Sequence, residues 1–153
     1  MASFRLRTVN AEDSEELFRI HRESMTEYLE QAFEGWTEER AREHHQRWMT
    51  SGTTQVILVD EQIGGSLEVV PRDGELWIVR IEIDPRFQNQ GLGSAILKQV
   101  QRQAAEQLMP LVLEVFVHNP ARRLYERLGF RAVSRDGPSV KMKWDGEAAV
   151  DQR

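Results

Sequence analysis

Ile81-Glu82-Ile83-Asp84-Pro85-Arg86-Phe87-Gln88-Asn89-Gln90-Gly91-Leu92-Gly93-Ser94 is the stretch that decides the fold. It closes an apolar run that begins at Leu76, meets Pro85, and passes through Gly91 and Gly93 into Ala95-Ile96-Leu97-Lys98-Gln99-Val100. A strand, a glycine-bearing turn and a helix start in that order present free backbone N–H groups and the positive end of a helix dipole. Together these make an anion site, suited above all to phosphate. Glycine at 91 and 93 omits the Cβ atoms that would hold a pyrophosphate off the backbone. A plain tight turn with positive φ asks for the same residues, and two glycines alone favour that plainer use.

Rival phosphate motifs are excluded by the neighbours. A P-loop places Lys-Ser or Lys-Thr directly after its last glycine, whereas Ser94-Ala95 follow here. The dinucleotide fingerprint needs a third glycine at position 96, which is Ile96.

Working outward, Phe4, Leu6 and Val9 give a short first strand. Asn10 offers an N-cap with Glu12 and Asp13 in the first turn, and Leu17, Ile20, Met25, Tyr28 and Leu29 recur at helical spacing, so a helix is expected over 11–32. Gly35-Trp36-Thr37 breaks it, Thr37 caps a second, strongly polar helix over 38–49, and Gly52 is expected to close that helix. Strands follow over 55–59 and 63–70, with a turn at 71–74 and a long strand over 76–83. A helix over 91–108 ends before Pro110, and Leu111–Val117 reads as a strand buried on both faces. Pro120 suits the first turn of a short helix over 120–128, Gly129 ends it, and 130–134 with 139–144 form a last hairpin. The order β-α-α-β-β-β-α-β-α-β-β is that of a mixed α/β domain, expected as one unit over 1–144 with a frayed tail over 145–153.

The composition bounds the function. A chain of 153 residues suits one core, and a net charge of −5 argues against nonspecific nucleic-acid binding, which needs a basic surface. No apolar stretch has the length of a bilayer span, and Phe4-Arg5 stand where a signal peptide would be apolar, so a cytoplasmic protein is expected. The absence of cysteine excludes disulfides, thiolate catalysis and cysteine-ligated metals. His44-His45 form no metal pair, because adjacent helical residues point about 100° apart, and a solvated face is the expectation. His21 has no partner at ligand spacing. No metal is expected.

Gln88-Asn89-Gln90-Gly91-Leu92-Gly93 resembles the signature of the GCN5-related N-acetyltransferases: Arg or Gln, two residues, Gly, one residue, Gly or Ala. A second block, Asn119 … Leu124-Tyr125 … Gly129-Phe130, is similar to a later segment of the same family. The resemblance covers about 55–144, and only element order matches before it. It implies splayed parallel strands at 76–83 and 111–117, with acetyl-coenzyme A as co-substrate. In that picture the pantetheine arm bonds main-chain groups of Ile81 and Ile83. The Ile81 N–H can polarise the thioester carbonyl, and the pyrophosphate sits on the amides from Asn89 to Ser94. Arg122, with Arg123 beside it, stands for the adenosine phosphates, although a solvated helix face explains both equally well. Asn119 to Tyr125 is one residue shorter than in many relatives, so Asn119 and His118 both stand for the cofactor-side role.

By the same resemblance Tyr125 is the proton donor to the departing thiolate. Glu82 is the choice for the base, with a side-chain parity opposite to Ile81 and Ile83, and Glu114 is similarly placed on the neighbouring strand. The position of the base in histone-modifying relatives falls on Trp77, which cannot take a proton. Tyr28, Phe33, Trp36 and Trp77 stand for the acceptor pocket, evenly balanced against core packing. The implied activity is direct acetyl transfer to a primary amine of a small molecule or peptide, without nucleic acid or membrane, and a homodimer is allowed. A coenzyme A-binding regulatory module without catalysis is the rival: Tyr125 speaks against it, and the missing base at 77 slightly for it.

Overall fold

β4, Glu75–Ile83, alternates in its burial except at the half-buried Arg80, and that alternation organises the elements around it. Leu76, Ile78, Glu82 and Asp84 are buried, whereas Trp77, Ile81 and Ile83 are half-buried and Val79 is exposed. The structure is a computed structural model that describes residues 3–146. The remaining elements are β1 Phe4–Thr8, α1 Ser14–Ala32, α2 Glu38–Met49, β2 Thr54–Val59, β3 Gln62–Arg72, α3 Leu92–Glu106, β5 Leu111–Phe116, α4 Ala121–Arg127, β6 Arg131–Asp136 and β7 Ser139–Trp144. Short 3-10 turns occupy Ala11–Asp13 and Pro85–Phe87. The hydrogen-bonded strand order is β1-β2-β3-β4-β5-β7-β6, the mixed α/β arrangement expected of the sequence.

The chain forms two compact units, and β3 and β4 each pass from one into the other along their length. The first holds the chain up to Glu68 together with Arg80–Gly93. In it β1 and β2 pair antiparallel from Phe4–Val59 to Thr8–Gln55, and β2 pairs antiparallel with β3 through a bulge at Ile57/Leu58. α1 buries Leu17, Phe18, Ile20 and His21, successive positions of one helical stripe. Leu17 packs with Val56 and Leu58, flanked by Val9, Met49 and Ile63. Thr37 Oγ1 accepts from the Arg40 N–H at 3.2 Å, which starts α2 where the sequence expects it.

The second unit holds Val69–Val79 and the chain from Ser94 onward. β4 pairs in parallel with β5 from Leu76–Leu111 to Ile78–Leu113, a ladder that stops after three pairs while both strands run on. A parallel pair needs a crossover, and α3 is that crossover. Its buried face, Ile96, Leu97, Val100 and Ala104, has helical spacing. β5 and β6 flank β7 antiparallel.

Several boundaries differ from the sequence reading. α2 ends at Met49 as expected, but its cap is Thr50, whose Oγ1 donates to the Gln46 carbonyl, and Gly52 (φ 83) lies beyond that cap. β3 runs on through Pro71 to Arg72, and the turn is Asp73-Gly74, both with positive φ. α3 begins at Leu92 and stops at Glu106, short of the expected 91–108. Asp145 accepts a hydrogen bond from Arg131, and the rest of the tail expected to fray, 147–153, lies outside the described residues.

Gly64 and Gly65 let the β3 backbone close on the end of β4. The Gly64 carbonyl accepts from the Asp84 N–H at 2.8 Å, and a Cβ on Gly65 would stand 2.0 Å from the Glu82 carbonyl oxygen. Gly65→Ala should therefore lower unfolding free energy by ~1–3 kcal/mol, as overpacking against rigid backbone does. Urea melts of the wild type and the variant measure the difference, and a loss below about 0.5 kcal/mol would mean that the backbones part at little cost.

Candidate functional site

The site is built on the exit from β4. Asp84 is fully buried, and its Oδ1 accepts from the Arg86 N–H at 3.0 Å, capping the 3-10 turn Pro85–Phe87. The chain then turns through Gln88, Asn89, Gln90 and Gly91, all exposed, before α3 starts. Asn89 (φ 63) and Gly91 (φ 79) are both left-handed, which glycine adopts freely and asparagine tolerates. Gln88 Nε2 donates to the Ile83 carbonyl at 2.9 Å and Gln90 Nε2 to the Arg86 carbonyl at 3.0 Å. The glutamine side chains thus brace the turn from within. The N–H groups of the first turn of α3 have no partner inside the helix, as at every helix start. The Leu92 side chain is 1% exposed and belongs to the core, so only its backbone can serve a ligand.

The buried side of β4 in the same unit is ionic. Glu82 Oε2 and His21 Nδ1 share a hydrogen bond of 2.7 Å, and both side chains are buried. Glu82 Oε1 and His21 Nε2 have no hydrogen-bond partner among the described residues. Asp84 Oδ2 accepts from Arg19 at 2.7 Å and from Arg86 at 2.8 Å. Burial alone would raise the Asp84 carboxyl, but the bonds from Arg86 and Arg19 prevail and hold it below the usual carboxylate range. Arg80 donates to Glu68 at 3.0 Å and Thr54 at 2.9 Å and lies 3.8 Å over the Trp48 ring. Burial pulls its guanidinium downward, against the fields of Glu82 and Glu68.

In the second unit Tyr125 is buried on α4, 5.9 Å from the Phe130 ring, and burial pushes its hydroxyl up to about 12. Asn119 Oδ1 accepts from the Ala121 N–H at 2.9 Å and so caps α4, while His118 is exposed. Arg122 and Ser94 are half-buried, and Arg123 and Glu114 are exposed. Trp77 lies between two cations, with Arg72 5.4 Å and Lys141 5.1 Å from its ring.

Of the acceptor residues in the first unit, Tyr28 is half-buried on α1 and Phe33 exposed just after it. The Trp36 ring lies 6.2 Å from Phe33 and 5.3 Å from His44. His44 is exposed as expected, but His45 is buried and bonded to Ser14 Oγ at 3.0 Å, so a solvated face describes only one of the pair. Among the described residues no cluster of three or more His, Asp or Glu is arranged to hold a metal, and no helix is long and apolar enough to cross a membrane.

The pairing of His21 with Glu82 is the feature of this region that sequence reading missed. The signal was present: a polar side chain on the buried stripe of α1 and a carboxylate on the buried parity of β4 each need a partner.

Fold and turn define a mixed α/β protein built around an anion-ready helix start. The chain belongs to the acetyltransferase (GNAT) family, whose family model matches residues 15–130. Over 63 residues it is 38% identical to the spermine/spermidine N(1)-acetyltransferase of Bacillus subtilis (strain 168), a stretch amounting to 39% of this chain and 41% of that protein. Its fold is similar to that of the PaiA N-acetyltransferase of Thermoplasma acidophilum, solved in complex with coenzyme A: TM-score 0.77 at 18% identity, covering 93% of this chain and 98% of that one. The ribosomal-protein-S18-alanine N-acetyltransferase of Escherichia coli is also similar, with TM-score 0.67 at 19% identity and 93% coverage of both chains.

The depressed Asp84 carboxyl carries a pH signature. Its stabilisation is complete above about pH 4, the unfolded value, and is lost as pH falls through the lower folded value. Asp84→Asn should cost ~2–3 kcal/mol at pH 7, and the gap to the wild type should close below about pH 4. Denaturant midpoints across pH 2.5–7 measure it, and a gap independent of pH would assign the loss to packing.

Proposed function

We propose that this protein is an acetyl-coenzyme A-dependent N-acetyltransferase that moves the acetyl group directly to a primary amine of a small molecule or peptide. The observation that carries the reading is Gly93. It sits in the first turn of α3, where glycine is a poorer helix former than alanine by up to about 1 kcal/mol. Gly91 answers to a left-handed turn; Gly93 answers instead to a ligand that must approach the backbone closely.

Acetyl-coenzyme A supplies an acetyl group activated as a thioester. The chain's own residues divide the remaining work. Backbone amides from Asn89 to Ser94 hold the pyrophosphate, main-chain groups of Ile81 and Ile83 hold the amide-bearing arm, and Arg122 meets a further phosphate. Asn119 reaches the cofactor only beside its duty as a helix cap, which leaves the exposed His118 available for that part. Tyr125 holds the proton destined for sulfur, and with its hydroxyl at about 12 it is fully protonated at neutral pH. Glu82 takes the amine proton. Tyr28, Phe33, Trp36 and Trp77 shape the acceptor side, where the exposed Glu27, Glu30, Glu34 and Glu39 suit a cationic amine.

Acetyl-coenzyme A at about 100 times its dissociation constant should stabilise the fold by roughly 2.7 kcal/mol. Gly93→Ala should act with opposite signs on the two states. The free protein gains ~0.5–1 kcal/mol from helix propensity, while the ligand-induced shift shrinks. An unshifted wild-type melt would overturn the reading.

Acetyl transfer to spermidine, spermine and peptides with free N-termini is read by thiol release, and every thiol detected is the coenzyme's because the chain has no cysteine. A non-catalytic binding module would give the melting shift without thiol. Tyr125→Phe keeps the ring and removes the O–H, so kcat should fall by ~10²–10⁴-fold while cofactor affinity stays nearly unchanged. Wild-type kcat in that variant, with chemistry rate-limiting, would mean that the sulfur takes its proton from water.

A further inference from the structure

We propose that His21 is the positioning residue for Glu82: it fixes one carboxylate oxygen so that the other is the single site of proton uptake. The inference rests on the reading in which Glu82 takes the amine proton. A base must start as a carboxylate, which can only accept, so on that reading the 2.7 Å contact is His21 Nδ1–H donating to Glu82 Oε2. Oε2 is thereby occupied, and Oε1, buried and without a partner among the described residues, is the position left for a proton. A carboxylate kept only for structure has its second oxygen satisfied too, because leaving it bare is costly in a low-dielectric interior.

Both members of the pair are held from behind. The His21 ring meets the edge of Trp48 at 4.8 Å and lies 6.5 Å from Phe18. Trp48 is covered in turn by Arg80 at 3.8 Å. On the strand side, the contact of Gly65 with the Glu82 carbonyl fixes the backbone that carries the carboxylate. The imidazole is buried between these rings, and its hydrogen bond to Oε2 orients the carboxylate. The groups facing the pair are His45 from α2, Arg80 from β4 itself and Glu68 from β3 behind Arg80. The proton concerned leaves the acceptor nitrogen as that nitrogen takes the acetyl group. It arrives on Glu82 Oε1, and the N–H electron pair stays on nitrogen.

Two measurements test the assignment. Nitrogen-15 spectra of the imidazole rings should show a proton on His21 Nδ1, shifted far downfield, that is absent in Glu82→Gln. A His21 ring protonated on Nε2 alone would overturn the proposal whatever the acceptor. With spermidine as the probe amine, His21→Leu keeps the volume and removes the donor, whereas His21→Asn loses volume and keeps an N–H near the Nδ1 position. Leucine should lower kcat by about 10–100-fold with the acetyl-coenzyme A dissociation constant unchanged, and asparagine should recover much of that loss despite a lower melting temperature. The reverse order, leucine active and asparagine impaired, would make His21 a packing residue and overturn the proposal. A Glu82→Gln enzyme with wild-type kcat would instead remove the base itself. Loss in Glu82→Gln without loss in His21→Leu would leave the base in place and reject His21 alone.

Discussion

Arg80, Glu82 and Asp84 occupy the buried parity of one strand, and none of these groups can remain there without a counterpart. Glu68 from β3 and Arg19 and His21 from α1 are those counterparts. The placement of α1 follows from this as much as from its apolar stripe. Leu17, Phe18 and Ile20 supply the burial, while Arg19 and His21, two residues apart, set the register against Asp84 and Glu82, also two residues apart. Apolar contact alone permits some sliding of a helix on a sheet; two directed bonds at fixed separation do not. Arg19 is itself divided among Glu16, Glu23 and Asp84, and those bonds raise its guanidinium well above the ordinary value. The exit of β4 is thus tied to the helix through the same carboxylate that caps the 3-10 turn before the glycines.

Much of this was legible in the sequence, and the reasons divide cleanly. The turn at 88–94 could be read because its chemistry is local: left-handed Asn89 and Gly91 between a strand and a helix are encoded by neighbours. Thr37 at the start of α2 and the hairpin of β6 and β7 were legible for the same reason. What escaped was long-range. The pairing of His21 with Glu82 joins residues 61 apart, and no periodicity within either element reports it. His45 turns inward while His44 stays in water because His45 shares a face with Ala41, Trp48 and Met49, a short stripe at i, i+4, i+7 and i+8 that the polar composition of α2 masked. The cap of α2 is Thr50 where Gly52 was expected, and β3 runs on through Pro71 past the end of its ladder with β2, where a missing N–H costs that ladder nothing.

The residues of the second later block illustrate a different limit. Asn119 and Tyr125 were singled out by resemblance, and the structure gives each a local duty as well: one caps α4, the other fills the core beside Phe130. Gly129 (φ 95) places Phe130 there by reversing the chain after α4, and a Cβ at that position would stand 3.2 Å from the Trp144 ring. A motif of this kind has a folding duty of its own, and composition alone does not separate that duty from a chemical one.

β4 changes character along its length: Leu76 and Ile78 hold its first half, while Arg80, Glu82 and Asp84 hold its second. The two halves obey different laws. Apolar burial weakens on cooling and strengthens with excluded salts, whereas ionic pairing answers to proton concentration and dielectric screening. Chill therefore loosens the strand from its beginning, and acid from its end, where the glycine turn is attached.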